Sequence, residues 1–270
     1  MKSKMYVIAW EGAIANCVNI SEQLYGSDID HVFYNVSNLE EQNSNWARRP
    51  DIRYNSHFFH AVKDFIASDN DIFIFNTGDI SHSDYVGYTK YIEKIFEENP
   101  NLGAFAPNNT NDVFINAESM IGRSKKYSNL YLSTNTNGAY LALHRDIVNY
   151  LSSFYDWCVE TVALDFTKMR TGWGLDMSYC ALTIALNRVI YRDSGVSMFH
   201  PKDQSYSVDA GNTEFRDVIA AFKNFCPTIG IDPNRIAFII DLTIRRVRNA
   251  SGTPLSIESI YSEPKKVIEA

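Results

Sequence analysis

The chain has 270 residues, of which 45% are hydrophobic and 21% charged, with a formal net charge of −7. That acidic balance excludes a protein that coats nucleic acid, because neutralising phosphates takes a basic surface. No segment reaches the roughly 18 uninterrupted apolar residues of a membrane span. The cysteines Cys17, Cys158, Cys180 and Cys226 form no Cys-x-x-Cys pair, which excludes a zinc knuckle or redox motif and fits buried free thiols in a reducing compartment.

Met5 to Ala9 reads as a first strand; Glu11 interrupts the apolar run too early for a signal peptide. Ile14 to Leu24 has helical spacing, Val32 to Val36 is a second strand, and the polar stretch 37–53 reads as loop. Phe58, Val62, Phe65 and Ile66 make a helical stripe. Ile72 to Phe75 is a continuous apolar run, as in a parallel strand covered on both faces. Tyr88 to Glu98 is a helix ended by Pro100, with Asp84 as its cap, and Leu102 to Ala106 is strand-like. The pattern weakens from Asn108 to Asn137. It resumes as a strand at Gly138 to Leu143, a helix from Asp146, and a helix from Asp176 to Leu186. Val189 to Tyr191 and Val196 to Phe199 read as two short strands, and Glu214 to Phe225 and Arg235 to Val247 as helices.

Strands alternating with helices imply βαβ units around a mostly parallel central sheet, with ligands at the carboxyl ends of the strands. The expected organisation is a catalytic domain over 1–210, a helical C-terminal extension of that domain over 211–250, and a loose tail over 251–270.

Several residues in this frame can carry chemistry. Asp79 closes Asn76-Thr77-Gly78-Asp79, just past an expected central strand, where a carboxylate can hold Mg²⁺ or Mn²⁺ against a diphosphate. Asn, Gly and Asp are also ordinary turn formers. Asp176 opens a helix after Gly172-Trp173-Gly174-Leu175. An acid is favoured there by the helix dipole alone, but it can also take a proton from an attacking hydroxyl while the indole of Trp173 walls a sugar ring. His200 ends an apolar stretch, with Met198 expected on its face of the strand, and imidazole suits a transition metal. Asn137 and Gly138 precede a strand and suit contacts with sugar hydroxyls; Asn76 and Glu11 sit at strand ends. Arg48, Arg49 and Arg53 can reach a base or diphosphate. His57 and His60 lack a nearby acid and make a weak metal signal. Arg235, Arg245, Arg246 and Arg248 surround an apolar run, so 235–248 is a candidate membrane-surface helix, although packing on the domain explains the same pattern.

The order of apolar strand, acid, Asn/Gly strand, Gly-Trp-Gly-x-Asp and then Met-x-His resembles glycosyltransferases of the GT-A fold, and in its second half is similar to the β-1,4-galactosyltransferase family. The resemblance implies a Rossmann-like α/β fold with a mixed, mostly parallel sheet. It gives Asp79 the Asp-x-Asp role, Asp176 that of catalytic base, Met198 and His200 the other positions around Mn²⁺, and Gly138 and Ala139 a place near the sugar. The first acid of Asp-x-Asp is absent, with Asn76 or Thr77 in its place. The resemblance further implies a cytoplasmic, inverting enzyme that uses a nucleotide diphosphate-sugar donor and a glycan or lipid-linked glycan acceptor, with peripheral contact at the inner face of a membrane as an option. A nucleotidyltransferase acting on sugar phosphates, and a non-catalytic carbohydrate- or protein-binding module on the same fold, are the competing readings.

Overall fold

The computed structural model describes residues 1–38, 40, 43–49, 54–109, 120–136, 138–169, 171–200, 208–249 and 257–264; at 109, 120, 208–210, 245–249 and 258 it describes the backbone only. Strand β1 (Ser3–Ala9) leads through a single 3₁₀ turn into helix α1 (Ile14–Leu24), followed by β2 (Asp30–Asn35) and β3 (Trp46–Arg48). Next come α2 (Tyr54–Ile66), β4 (Ile72–Asn76), α3 (Tyr85–Glu98) and β5 (Leu102–Asn109). After these lie β6 (Met120–Arg123), β7 (Leu130–Ser133), β8 (Tyr140–His144) and α4 (Arg145–Thr161). The chain finishes with α5 (Leu175–Ala185), β9 (Val189–Met198), α6 (Val208–Phe225), α7 (Pro233–Asn249) and the single turn α8 (Ile257–Ile260).

All the strands join one sheet in the order β3-β2-β1-β4-β8-β5-β9-β7-β6. β1, β2, β3 and β4 are mutually parallel and β5 pairs parallel with β9. β8 runs antiparallel between β4 and β5. The architecture is therefore α/β with a mixed central sheet flanked by helices. Helices α1 and α3 pack together, while α2, α4, α5, α6 and α7 form the other layer. The central strands are buried on both faces: every residue of β4 is buried, which is why it reads as unbroken Ile-Phe-Ile-Phe.

Much of the aromatic content is spent on the core. Phe58 of α2 packs edge-on against Phe73 and Phe75 of β4, and Phe154 of α4 gathers Phe222 and Phe225 of α6. Such ring pairs add roughly 0.5–1.5 kcal/mol each beyond their buried area. Val218, Phe222, Ile236 and Ile239 of α6 and α7 belong to the same apolar cluster as β1 and β4. Of the stretch 251–270, Ile260 and Tyr261 are buried and the backbone of Glu263 donates to the Asn187 side chain at 3.1 Å. Among the described residues no helix is long and apolar enough to cross a membrane.

Three short strands outside the apolar pattern, β3 in the expected loop 37–53 and the β6–β7 pair in the weak region, extend the sheet at its edges. The two strands expected at 189–191 and 196–199 are one bulged strand: Pro107 pairs with Asp193, but Asn108 pairs with Ser197.

Candidate active site

The carboxyl end of β4 is a tight turn built by its own side chains. The Asn76 side-chain carbonyl accepts from the backbone N–H of Gly78 at 2.8 Å, and Asn76 is fully buried. Gly78 has φ of 84°, and a Cβ there would stand 2.1 Å from the Ile8 carbonyl oxygen, so only glycine lets the turn lie this close to β1. From α1, the Asn16 amide donates to the carbonyls of Gly78 (2.7 Å) and Ile80 (2.6 Å). The Trp10 indole N–H donates to the carbonyl of Thr77 at 3.0 Å. These contacts hold the loop without using the carboxylate of Asp79.

Two side chains among the described residues approach that carboxylate with polar atoms. The Thr77 hydroxyl donates to Oδ1 at 2.5 Å. Nε2 of His200 stands 3.5 Å from Oδ2. Backbone pairing beyond β9 makes the second contact possible: Ser81 N–H donates to the Phe199 carbonyl at 3.0 Å and Phe199 N–H returns to Ser81 at 3.2 Å. Both side chains stay partly open, 18% for Asp79 and 26% for His200. Met198 is fully buried one step inside.

An imidazole nitrogen and a carboxylate oxygen, each about 2.1 Å from one ion, stand roughly 3.0–3.4 Å apart. The 3.5 Å spacing therefore fits a shared divalent ion after a small closure. The nitrogen–oxygen donor set suits Mn²⁺ better than Mg²⁺. Among the described residues no group of three His, Cys, Asp or Glu side chains converges as a metal site.

Gly138 and Ala139 come in just ahead of the neighbouring strand β8. The carbonyl of Ala139 accepts from the backbone N–H of Thr77 at 2.9 Å, and Asn76 is in register with Tyr140 of β8. Because β8 is antiparallel, its start lies beside the end of β4. Gly138 is joined in turn to the Gly-Trp-Gly segment by Tyr54 of α2. The Tyr54 hydroxyl donates to the Gly138 carbonyl at 2.6 Å. Its ring lies on Gly172, where a Cβ would stand 2.4 Å from it. The Trp173 indole is half-buried, with its ring over Gly211 of α6. Gly174 (φ 89°) precedes α5, and half-buried Asp176 in the first turn accepts from the Met177 N–H at 2.8 Å. Thr171 is tied to Glu214 of α6 by its N–H and its hydroxyl, each at 2.7 Å.

Glu11 is exposed beyond the end of β1, with Oε2 3.4 Å from the Asn38 N–H. Arg48, ending β3, donates to the Ser37 carbonyl. The guanidinium of Arg49 stacks 4.9 Å from the Tyr34 ring centroid. Asn137 and Arg53 lie outside the described residues. Asp84 caps α3, its side chain accepting from Gly87 at 2.8 Å. All four cysteines are free and buried. In α7 the apolar residues Ile236, Ile239 and Ile240 face inward, leaving Phe238 exposed under Arg235.

Sequence reasoning missed Trp10, Asn16, Tyr54 and Thr77, the residues that hold the expected ones in place. Only Thr77, two positions from Asp79, carried a local signal, since a hydroxyl there can reach the carboxylate.

No protein-family model matches the chain, and no curated protein matches it in sequence. Solved structures match it in shape. S. aureus TarS 1-349 superposes with a TM-score of 0.55 at 10% identity, over 91% of this chain and 71% of that one. GalNAc-T7, whose crystal structure holds UDP, GalNAc and Mn²⁺, superposes with a TM-score of 0.50 at 9% identity, over 91% of this chain but 55% of its own. Identities this low speak to the fold alone, and that fold is GT-A-like.

Proposed function

We propose that this protein is a glycosyltransferase that moves a sugar from a nucleotide diphosphate-sugar donor to a glycan hydroxyl, in polysaccharide or glycoconjugate biosynthesis. The observation that carries the reading is the meeting of Asp79 and His200 at the carboxyl edge of a GT-A-like sheet. The Gly138 strand start and the Gly172–Asp176 segment are tied to that same edge through Tyr54.

Asp79 and His200 would hold a divalent cation, which when bound supplies positive charge to the departing diphosphate. Thr77 fixes the Asp79 carboxylate by occupying Oδ1, so that Oδ2 faces the imidazole. Asp176 takes the proton of the acceptor hydroxyl as that oxygen bonds to the anomeric carbon. The bond from that carbon to the diphosphate oxygen breaks in the same step, and the diphosphate leaves with the electron pair. Attack from the face opposite the leaving group inverts the anomeric centre. Trp173, held against α6, walls the sugar pocket, with Gly138 and Asn137 beside the sugar. Glu11 and Arg53 complete the donor side, and buried Asn76 serves it only by shaping the Gly78 turn beneath. Met198 backs His200 from within the sheet.

The direct test is a thermal-shift screen of UDP, GDP, CDP and CMP, each with Mn²⁺ and with EDTA. A nucleotide that binds the native state raises the melting temperature by mass action. A Mn²⁺-dependent rise with one nucleotide supports the reading and names the donor class. A rise that survives EDTA keeps the transferase and removes the metal. No rise with any nucleotide would replace the enzyme by a binding module on the same fold.

A further inference from the structure

Strand β9 does not run straight to His200. Pro107 pairs with Asp193 and the next residue, Asn108, with Ser197, so Ser194, Gly195 and Val196 are extra on the β9 side. Three is an odd number, and side chains alternate along a strand. The bulge therefore exchanges the two faces of the strand beyond it. Met198, paired with Asn109, shares the face of Asp193; Arg192, which bonds Asn108 at 3.0 Å, points to the other. Without the bulge His200 would stand on the Arg192 side, away from Asp79.

One residue gathers this bulge. Oδ1 of Asp193, a fully buried carboxyl, accepts from the Asn129 amide at 2.7 Å and from the Gly195 N–H inside the bulge at 2.8 Å. The carbonyl of Asn129 accepts from both the N–H and the hydroxyl of Ser194, each at 2.9 Å. Asn129 thus clasps the bulge from the β7 side. Burial also pushes the Asp193 carboxyl up from its ordinary range. Both donors meet the one oxygen Oδ1, a position that the carbonyl oxygen of an amide of the same shape can occupy.

We propose that Asp193 is a positioning residue: through Asn129 and Gly195 it fixes the three-residue bulge that turns His200 onto the face of Asp79. Its bearing on sugar transfer rests on the function proposed above; the geometry it controls does not.

The test reads that geometry directly. The amides of Ser81 and Phe199 hydrogen-bond each other's carbonyls only while the end of β9 lies against the Asp79 loop. Hydrogen exchange is followed by NMR in the wild type, Asp193→Ala and Asp193→Asn. In Asp193→Ala these two amides are expected to exchange at least about tenfold faster, with Val7 and Ile74 in the central strands unchanged. Asp193→Asn keeps an acceptor oxygen in place and is expected to restore wild-type protection. Should Asp193→Ala fail to fold, Asn129→Ala removes the clasp from the other side and is read in the same way. Unchanged protection at Ser81 and Phe199 in a folded Asp193→Ala or Asn129→Ala chain overturns the proposal, as does Asp193→Asn behaving like Asp193→Ala. Neither result depends on nucleotide binding, so failure of the donor screen is separable from failure here.

Discussion

His200 reaches Asp79 by backbone pairing rather than by a long side-chain excursion: the paired Ser81 and Phe199 sit beside the two residues whose Nε2 and Oδ2 stand 3.5 Å apart. Asp79→Asn and His200→Ala are each expected to abolish a Mn²⁺-dependent thermal shift with nucleotide. Thr77→Val, which removes only the hydroxyl on Oδ1, should weaken Mn²⁺ affinity roughly 10- to 100-fold, as loss of a residue that orients a metal ligand does. Calorimetric titration of Mn²⁺ checks all three; unchanged affinity in Asp79→Asn would remove the carboxylate from the ion.

Asp176 separates chemistry from binding. Asp176→Asn should lower kcat about 10²- to 10⁴-fold while donor affinity stays within twofold or so, because a general base acts on the acceptor hydroxyl. Retained turnover sinks the base assignment.

Gly78 is a stability position. Any Cβ meets the Ile8 carbonyl, and φ of 84° is costly for L side chains. Gly78→Ala is expected to cost roughly 2–4 kcal/mol in urea melts. A loss below about 0.5 kcal/mol would show that the turn relaxes freely.

Tyr54 links two parts of the candidate site. Tyr54→Phe should cost about 0.5–1.5 kcal/mol, the usual worth of one hydrogen bond. Gly172→Ala should cost about 1–3 kcal/mol through overpacking against the ring. If Tyr54 couples the segments, the double variant costs less than the sum of the two, and strict additivity argues against coupling.

The buried thiols set an alkaline limit. Burial pushes Cys17, Cys158 and Cys180 up to about 12 and Cys226 up to about 11, from an ordinary 9.0. The folded state then holds these protons where the unfolded state releases them. Stability is complete below pH 9.0 and falls as pH rises through 11–12, by on the order of 1 kcal/mol per thiol for each pH unit. Urea melts at pH 8 and pH 10.5 test this, and an unchanged midpoint would contradict it.

The elements legible in the sequence were those whose burial imposes a period. The stripe of α2 and the unbroken apolar run of β4 are both written in residue spacing. β3 and β6 are short strands at the edges of the sheet, with too few buried positions to show a pattern. The antiparallel sense of β8 was hidden because an apolar run reads alike in both directions. At the candidate site, Asp79, Asp176 and His200 stood out by chemical type and local setting. Tyr54, Asn16 and Asp193 did not, since their contacts are set by residues far away in the chain.

The odd bulge of β9 carries a parity rule for the length of this chain. If the strand beyond Asp193 slides in register, inserting or deleting one residue between Asp193 and Met198 puts Phe199 or Pro201 in the sequence place of His200, whereas a change of two keeps the imidazole on the face of Asp79 and alters only its reach. A one-residue change in this stretch keeps the pair only where the bulge takes it up and leaves Ser197 opposite Asn108.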